Sequence, residues 1–164
     1  MLRADIERLY SAAMFHDIGK ARIPLAILDK PGRLDDRERA LIETHPAAGY
    51  DVLTGTSGIT PEILDAVRHH HEYLDGSGYP DGLRGNQVST LAQIVSTVDL
   101  YDAVTSARPY RSALPAAYAF AELRDEAARG LRDPDMVEAF VDLAQSGDLT
   151  PPEQAGNISP AAGG

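Results

Sequence analysis

Apolar residues recur at helical spacing along most of this chain. Leu2, Ile6, Leu9, Ala13 and Met14 share one side of an opening helix, and Gly19 stands where it should stop. Pro24 and then Lys30-Pro31-Gly32 mark a loop. Leu34-Asp35-Asp36 enters a second helical run that aligns Leu41, His45, Ala48 and Val52 on one stripe, with Pro46 placed to split the run into two helices. Thr60-Pro61-Glu62 supplies an N-cap and a proline at the first helical position; the helix it opens carries Ile63, Val67 and His70 on one face, with Leu64 and His71 beside them. The stretch from Asp75 to Gly82 is dense in turn residues, and Arg84-Gly85-Asn86 extends it into a long loop suited to lining a site. A further helix is predicted from Ser89 to Ala107, with Leu91, Val95, Val98, Asp99 and Asp102 close on one side and Pro109 ending it. Two more amphipathic helices follow, Pro115 to Arg129 and Pro134 to Ala144. No stretch sustains the period-two alternation of a strand. The pattern predicts an all-α domain over residues 1–145 and a solvated, flexible tail over 146–164, where large apolar side chains give way to Pro, Gly, Ala, Ser and Asn.

Composition narrows the function more than the fold. The 164 residues suffice for about one domain with a sizeable core, and 43% hydrophobic against 24% charged residues excludes wholesale disorder. Fifteen basic against 25 acidic side chains leave a formal net charge of −10, which argues against a nucleic-acid scaffold. Any anionic ligand must be held by local positive charge. The absence of cysteine excludes disulfides, zinc-thiolate sites and a thiol nucleophile, so a metal would have to be bound by His, Asp or Glu. The N-terminus lacks the order of a signal peptide and no apolar run approaches a membrane span. The chain reads as cytoplasmic, bound to neither DNA nor a membrane.

Five histidines then draw attention: His16, His45, His69, His70 and His71. Four of them share faces with apolar residues, where an imidazole is costly unless its nitrogens are satisfied. One such histidine alone is more often a core residue bonded to a carbonyl. Several converging with carboxylates are most economically satisfied by a divalent metal. His69 is the exception, aligned with Glu62 and Asp65 on the polar side of its helix, and reads as solvated.

The order of these residues carries a resemblance. His16-Asp17-Ile18-Gly19-Lys20, then His45-Pro46, then His70-His71-Glu72 running into Asp75-Gly76-Ser77-Gly78-Tyr79-Pro80, then Asp99 with Asp102, resembles the HD-GYP family of the HD superfamily of metal-dependent phosphohydrolases. The match extends to Lys30-Pro31-Gly32 and to Ala107-Arg108-Pro109-Tyr110-Arg111. The resemblance implies an HD-domain-like helical bundle with a metal site in its core. It implies that His16, Asp17, His45, His70, His71 and Asp99 hold two or three divalent ions, Asp17 bridging two of them. Iron or manganese suits such ligands best, with zinc, magnesium and nickel as alternatives. It further implies hydrolysis of cyclic di-GMP to pGpG or GMP, with Asp17 and Lys20 in the catalytic machinery and Lys20, Arg108, Arg111 and Tyr79 on the substrate's phosphates and bases. Glu72 would hold a ligating imidazole by accepting its other N–H, and Asp102 would do the same or balance local charge. Gly78 and Pro80 would shape a rigid turn, Gly78 through a positive φ, and in the family this turn is linked to cyclic di-GMP specificity and to docking of diguanylate cyclase-type proteins.

The chain departs from the family pattern at one end. The pattern begins one helix earlier with a further ligating histidine, and no histidine precedes His16 here. The expectation is a domain lacking the first family helix, with weakened activity and an uncovered apolar surface that favours self-association, as in a homodimer. Two other readings stay open: a catalytically silent signalling module that keeps the Gly-Tyr-Pro loop, and an HD phosphohydrolase acting on mononucleotides.

Overall fold

The computed structural model describes residues 3–107 and 112–146. Eight α-helices follow one another among these residues, with no strand between them. Helix α1 (Arg3–Phe15) ends just before His16, and a 3-10 turn (Ile18–Arg22) follows directly. Lone α-helical turn α2 (Leu25–Leu28) sits in the stretch expected to be loop; one turn without a stripe leaves no periodic signal. Helix α3 (Asp36–Ile42) opens on a capping box, Asp35 accepting from the Arg37 and Glu38 N–H groups while Glu38 reaches back to the Asp35 N–H. Helix α4 (His45–Leu53) starts at the His45-Pro46 pair, so the run divides where the proline predicts. Its inner face differs from the expected stripe. His45, Pro46, Gly49 and Leu53 are buried, whereas Leu41 and Val52 lie exposed, because the break before α4 resets the helical phase.

Helix α5 (Pro61–His69) follows Thr60, and α6 (Thr90–Thr105) is capped by the Ser89 hydroxyl, which accepts from the Ala92 N–H. Helices α7 (Ala116–Ala128) and α8 (Pro134–Gln145) close the domain, the latter capped by Asp133. Arg108, Arg111 and the tail beyond Ser146 lie outside the described residues.

Two apolar clusters share α6 as their common wall. The first joins Ala12 of α1, Leu53 of α4, Ile63, Ala66 and Val67 of α5, and Ala92 and Val95 of α6. The second joins Phe120 and Leu123 of α7 to Val137 and Val141 of α8, with Leu100 and Tyr101 of α6 packed on it. Gly19 brings the 3-10 turn onto α4 so closely that a side chain there would run into the backbone of His45 and Gly49. This contact sets His16 and Asp17 against His45. No helix among the described residues is long and apolar enough to cross a membrane.

Candidate metal centre

The ends of three helices and the middle of a fourth deliver the polar side chains to the first core. His16 follows α1, His45 begins α4, His70 and His71 follow α5, and Asp99 projects from within α6. His45 is 1% exposed and His70 fully buried. Burial at helix ends has a local consequence, because the last carbonyls of a helix lack intrahelical partners. His16 Nδ1 lies 2.7 Å from the Ala13 carbonyl oxygen and His70 Nδ1 2.8 Å from that of Val67. His45 Nδ1 lies 2.8 Å from the Ile42 carbonyl oxygen in the turn before α4.

A carbonyl oxygen only accepts, so each of these Nδ1 atoms carries the hydrogen and each neutral ring presents a bare lone pair at Nε2. Those lone pairs converge. His45 Nε2 and His70 Nε2 stand 3.2 Å apart. His16 Nε2 faces Asp17 Oδ2 at 3.4 Å and Asp99 Oδ1 at 3.5 Å, and His45 Nε2 lies 3.2 Å from Asp17 Oδ1. His16 Nε2 and Asp17 Oδ1 are buried without a hydrogen-bond partner. Acceptors packed against acceptors repel unless a cation lies among them.

Two groups of donors meet the spacing a cation requires. His45, His70 and His71 form one, and His16, Asp17 and His70 the other; within each group the ligand atoms lie within 4.8 Å of one another. His70 belongs to both, and Asp17 touches the first through His45. The nitrogen and oxygen donors, the shared histidine and the orphaned atoms all fit a cluster of divalent ions.

Protonation agrees in direction. Burial, with the neighbouring rings of His71 and His16, pushes His70 down to about 2, and burial with His45 pushes His71 down to about 4. Both rings are therefore neutral, as a ligand must be. Partial burial opposes ionisation of Asp17, but the adjoining His16 and His45 rings and the hydrogen bond from Lys20 win and hold its carboxyl well below the usual range. Asp99 is lowered too, against its burial, chiefly by His16. Burial likewise opposes the charged form of His16, yet Asp17 and Asp99 raise it to about 10. Without a metal, a proton on His16 is the cation this corner requires.

The remaining candidate residues fall in different places. Lys20 Nζ lies 2.6 Å from Asp17 Oδ2, at the rim of the cluster. Tyr79 stacks on His71 with ring centroids 4.9 Å apart and planes 28° from parallel. Glu72 departs from expectation. Its carboxylate accepts no imidazole N–H but takes the backbone N–H groups of Asp81, Gly82 and Leu83 at 2.6, 3.0 and 3.0 Å. The ligating rings need no carboxylate there, because carbonyls three residues upstream already fill that position for three of them. Asp102 lies exposed and accepts the Ser106 hydroxyl at the end of α6. Gly78 has no positive φ; it is required because a side chain would strike the backbone of His71, Glu72 and Tyr73. His69 is not solvated as its helix position suggested. Asp65 and Asp81 bracket it, each within 2.9 Å, and Arg68 pairs bidentately with the same Asp81. The Asp65–His69 spacing of one helical turn was visible in the sequence, whereas Asp81 comes from a distant loop and left no local signal.

A family model described as an HD domain matches residues 3–136. The chain belongs to the HD domain family. Curated relatives of this HD domain include a cyclic di-GMP phosphodiesterase of Pseudomonas aeruginosa, 42% identical over 130 residues, which take in 79% of this chain and 31% of that protein. The response regulator RpfG of Xanthomonas campestris pv. campestris, also named a cyclic di-GMP phosphodiesterase, is 42% identical over 139 residues, 84% of this chain and 36% of its own. A 3'3'-cGAMP-specific phosphodiesterase of Vibrio cholerae is 37% identical over 152 residues, 92% of this chain and 32% of its own. This HD-domain chain spans about a third of the length of these relatives. An HDG"Y"P protein from Bdellovibrio bacteriovorus shares the fold, with a TM-score of 0.68 over 87% of this chain and 44% of that one at 23% identity.

Proposed function

We propose that this HD domain is a metal-dependent phosphodiesterase that hydrolyses cyclic di-GMP to pGpG or GMP. One observation carries the reading: imidazole and carboxylate lone pairs converge in a cluster where His16 Nε2 and Asp17 Oδ1 have no hydrogen-bond partner in the protein. Relatives named as cyclic di-GMP phosphodiesterases supply the substrate. His16, Asp17, His45, His70, His71 and Asp99 would hold two or three divalent ions, iron or manganese being best suited to nitrogen and oxygen donors without thiolate. When bound, such ions activate water towards phosphorus and neutralise charge on the phosphate oxygens.

The chain's own residues supply orientation and local charge. The carbonyls of Ala13, Ile42 and Val67 hold three rings with Nε2 inward. Lys20 keeps Asp17 ionised and sets an ammonium at the rim, where it would meet a phosphate oxygen. Arg108 and Arg111 belong to the same reading, each guanidinium able to pair two phosphate oxygens. On a molecule of net charge −10 these groups make the site an exception to its surroundings, so affinity would come from close contact more than from long-range steering. The activity would operate in the cytoplasm, on a domain of residues 1–145, with diguanylate cyclase-type proteins or a second copy of the chain as partners.

A second substrate is favoured by the relative that is specific for 3'3'-cGAMP. Protein purified without oxygen, assayed for metal content and for turnover of both cyclic dinucleotides with iron or manganese supplied, tests the reading. At least two metals per chain with turnover of cyclic di-GMP is the expected result, and Asp17→Asn should lose at least a hundredfold in rate. Metal without turnover of either dinucleotide would support a silent module instead. Faster turnover of 3'3'-cGAMP would reassign the substrate.

A further inference from the structure

Three of the four clustered rings are oriented by a backbone carbonyl, and His71 is not. Among the described residues no hydrogen bond reaches the His71 ring; it meets His45 edge-on, His70 at a tilt of 43° and Tyr79 in a stack. The same Tyr79 also grips the His71 main chain, its backbone N–H donating to the His71 carbonyl at 3.2 Å. Tyr79 is therefore tied to this one residue through both ring and backbone.

What holds Tyr79 in turn is Glu72, the residue next to His71. Glu72 is 4% exposed, and a carboxylate so placed must be fully satisfied. Its two oxygens take three successive N–H groups of the loop, from Asp81 to Leu83, directly after Tyr79-Pro80. From the outer side Arg68 and His69 hold the Asp81 carboxylate. Gly78 allows the loop to lie flat against the backbone of His71, Glu72 and Tyr73. All these contacts converge on residues 78–83, and among the described residues the ring stacking this loop makes on the cluster is that of Tyr79 on His71.

We propose that Tyr79 is a positioning residue that fixes the His71 imidazole toward the cation cluster, and that Glu72 acts through Tyr79 by clamping the loop that carries it. The inference rests on the metal-binding reading above and adds to it why His71, alone without a carbonyl anchor, keeps its orientation. Outer partners of a ligating histidine typically change metal affinity by about tenfold to a hundredfold, and a stacked ring takes that role here.

Cobalt(II) titration of the full chain tests this, because its visible absorption reports ligand geometry independently of turnover. Tyr79→Phe keeps the stacked ring and should match the wild type in affinity and spectrum. Tyr79→Leu should bind cobalt about tenfold more weakly with an altered visible band. Glu72→Gln, which keeps the Tyr79 side chain but weakens the clamp on its loop, should show the same spectral change with a smaller loss of affinity, and it carries the test should Tyr79→Leu lose its helical circular dichroism. Wild-type affinity and spectrum in folded Tyr79→Leu, or in Glu72→Gln where Tyr79→Leu does not fold, would overturn the proposal. A wild-type chain that binds no cobalt would overturn the metal reading beneath it, a distinct result.

Discussion

Arg132 and Glu126 are buried nearly as deeply as the histidines of the metal centre, yet their charges close on protein. Arg132 Nε pairs with Glu126 Oε2 at 2.5 Å, Arg132 Nη1 donates to Ser96 Oγ at 3.1 Å, and the Tyr73 hydroxyl donates to Glu126 Oε1 at 3.1 Å. This network ties α7 and the turn before α8 to α6 and to the segment after α5. In the metal centre, the rings of His16, His45 and His70 turn acceptors toward one another and toward carboxylates. The two assemblies have similar burial and opposite accounting of donors. A buried polar group that is satisfied by its own chain serves the fold, and one that is aimed at other acceptors requires something from outside it.

The largest expected effect tests the satisfied side. Arg132→Ala leaves the Glu126 carboxylate buried without its cation, and urea denaturation should show a loss of about 3–5 kcal/mol. Replacing both partners together by apolar residues, Arg132→Met with Glu126→Leu, should recover most of it. Neither change should reduce the metal bound per folded chain, and a loss of metal would erase the distinction between the two assemblies.

Next in size is His70→Ala, which removes the one ring common to both donor groups. Metal affinity should fall by more than about a hundredfold, and the rise in melting temperature that added manganese gives the wild type should vanish. An unchanged manganese-dependent rise would mean that the cluster is only a packed core.

A further test is a pH profile of the metal-free protein. His70 and His71 stay neutral in the fold down to about 2 and about 4, while their unfolded forms take up protons below about 6.5, so this contribution to stability falls as pH drops through that window. His16 has the opposite sign. Its folded form keeps a proton up to about 10, so its contribution is complete below about 6.5 and is lost as pH rises toward 10. The urea midpoint of the metal-free chain should therefore peak near pH 6.5. Saturating manganese should flatten the profile, and on binding should release the His16 proton, measurable by calorimetry in buffers of different ionisation enthalpy. A metal-free profile with no fall above pH 6.5 would count against the protonated His16.

The helices were legible because their signals are local. Ser89 and Asp133 cap the helices they precede, Pro46 and Pro61 stand at first turns, and the apolar period of α7 and α8 survives intact in the second core. The stripe through Leu41 and Val52 misled, since a break of two residues rotates the next helix and periodicity cannot register it. The short α2 was too brief to show a period at all.

The sequence by itself determined an all-α domain and the set of residues rich enough in donors to form a metal centre, because helical period, caps and residue type depend on near neighbours. Only the tertiary structure decided which nitrogen of His16, His45 and His70 is free, that His70 serves both donor groups, that Glu72 grips a loop and not an imidazole, and that Asp81 brackets His69. These depend on where a carbonyl three residues away points and on loops brought together from distant parts of the chain. Direction and distance of that kind are set by how the elements pack on one another, and no spacing along the chain encodes them.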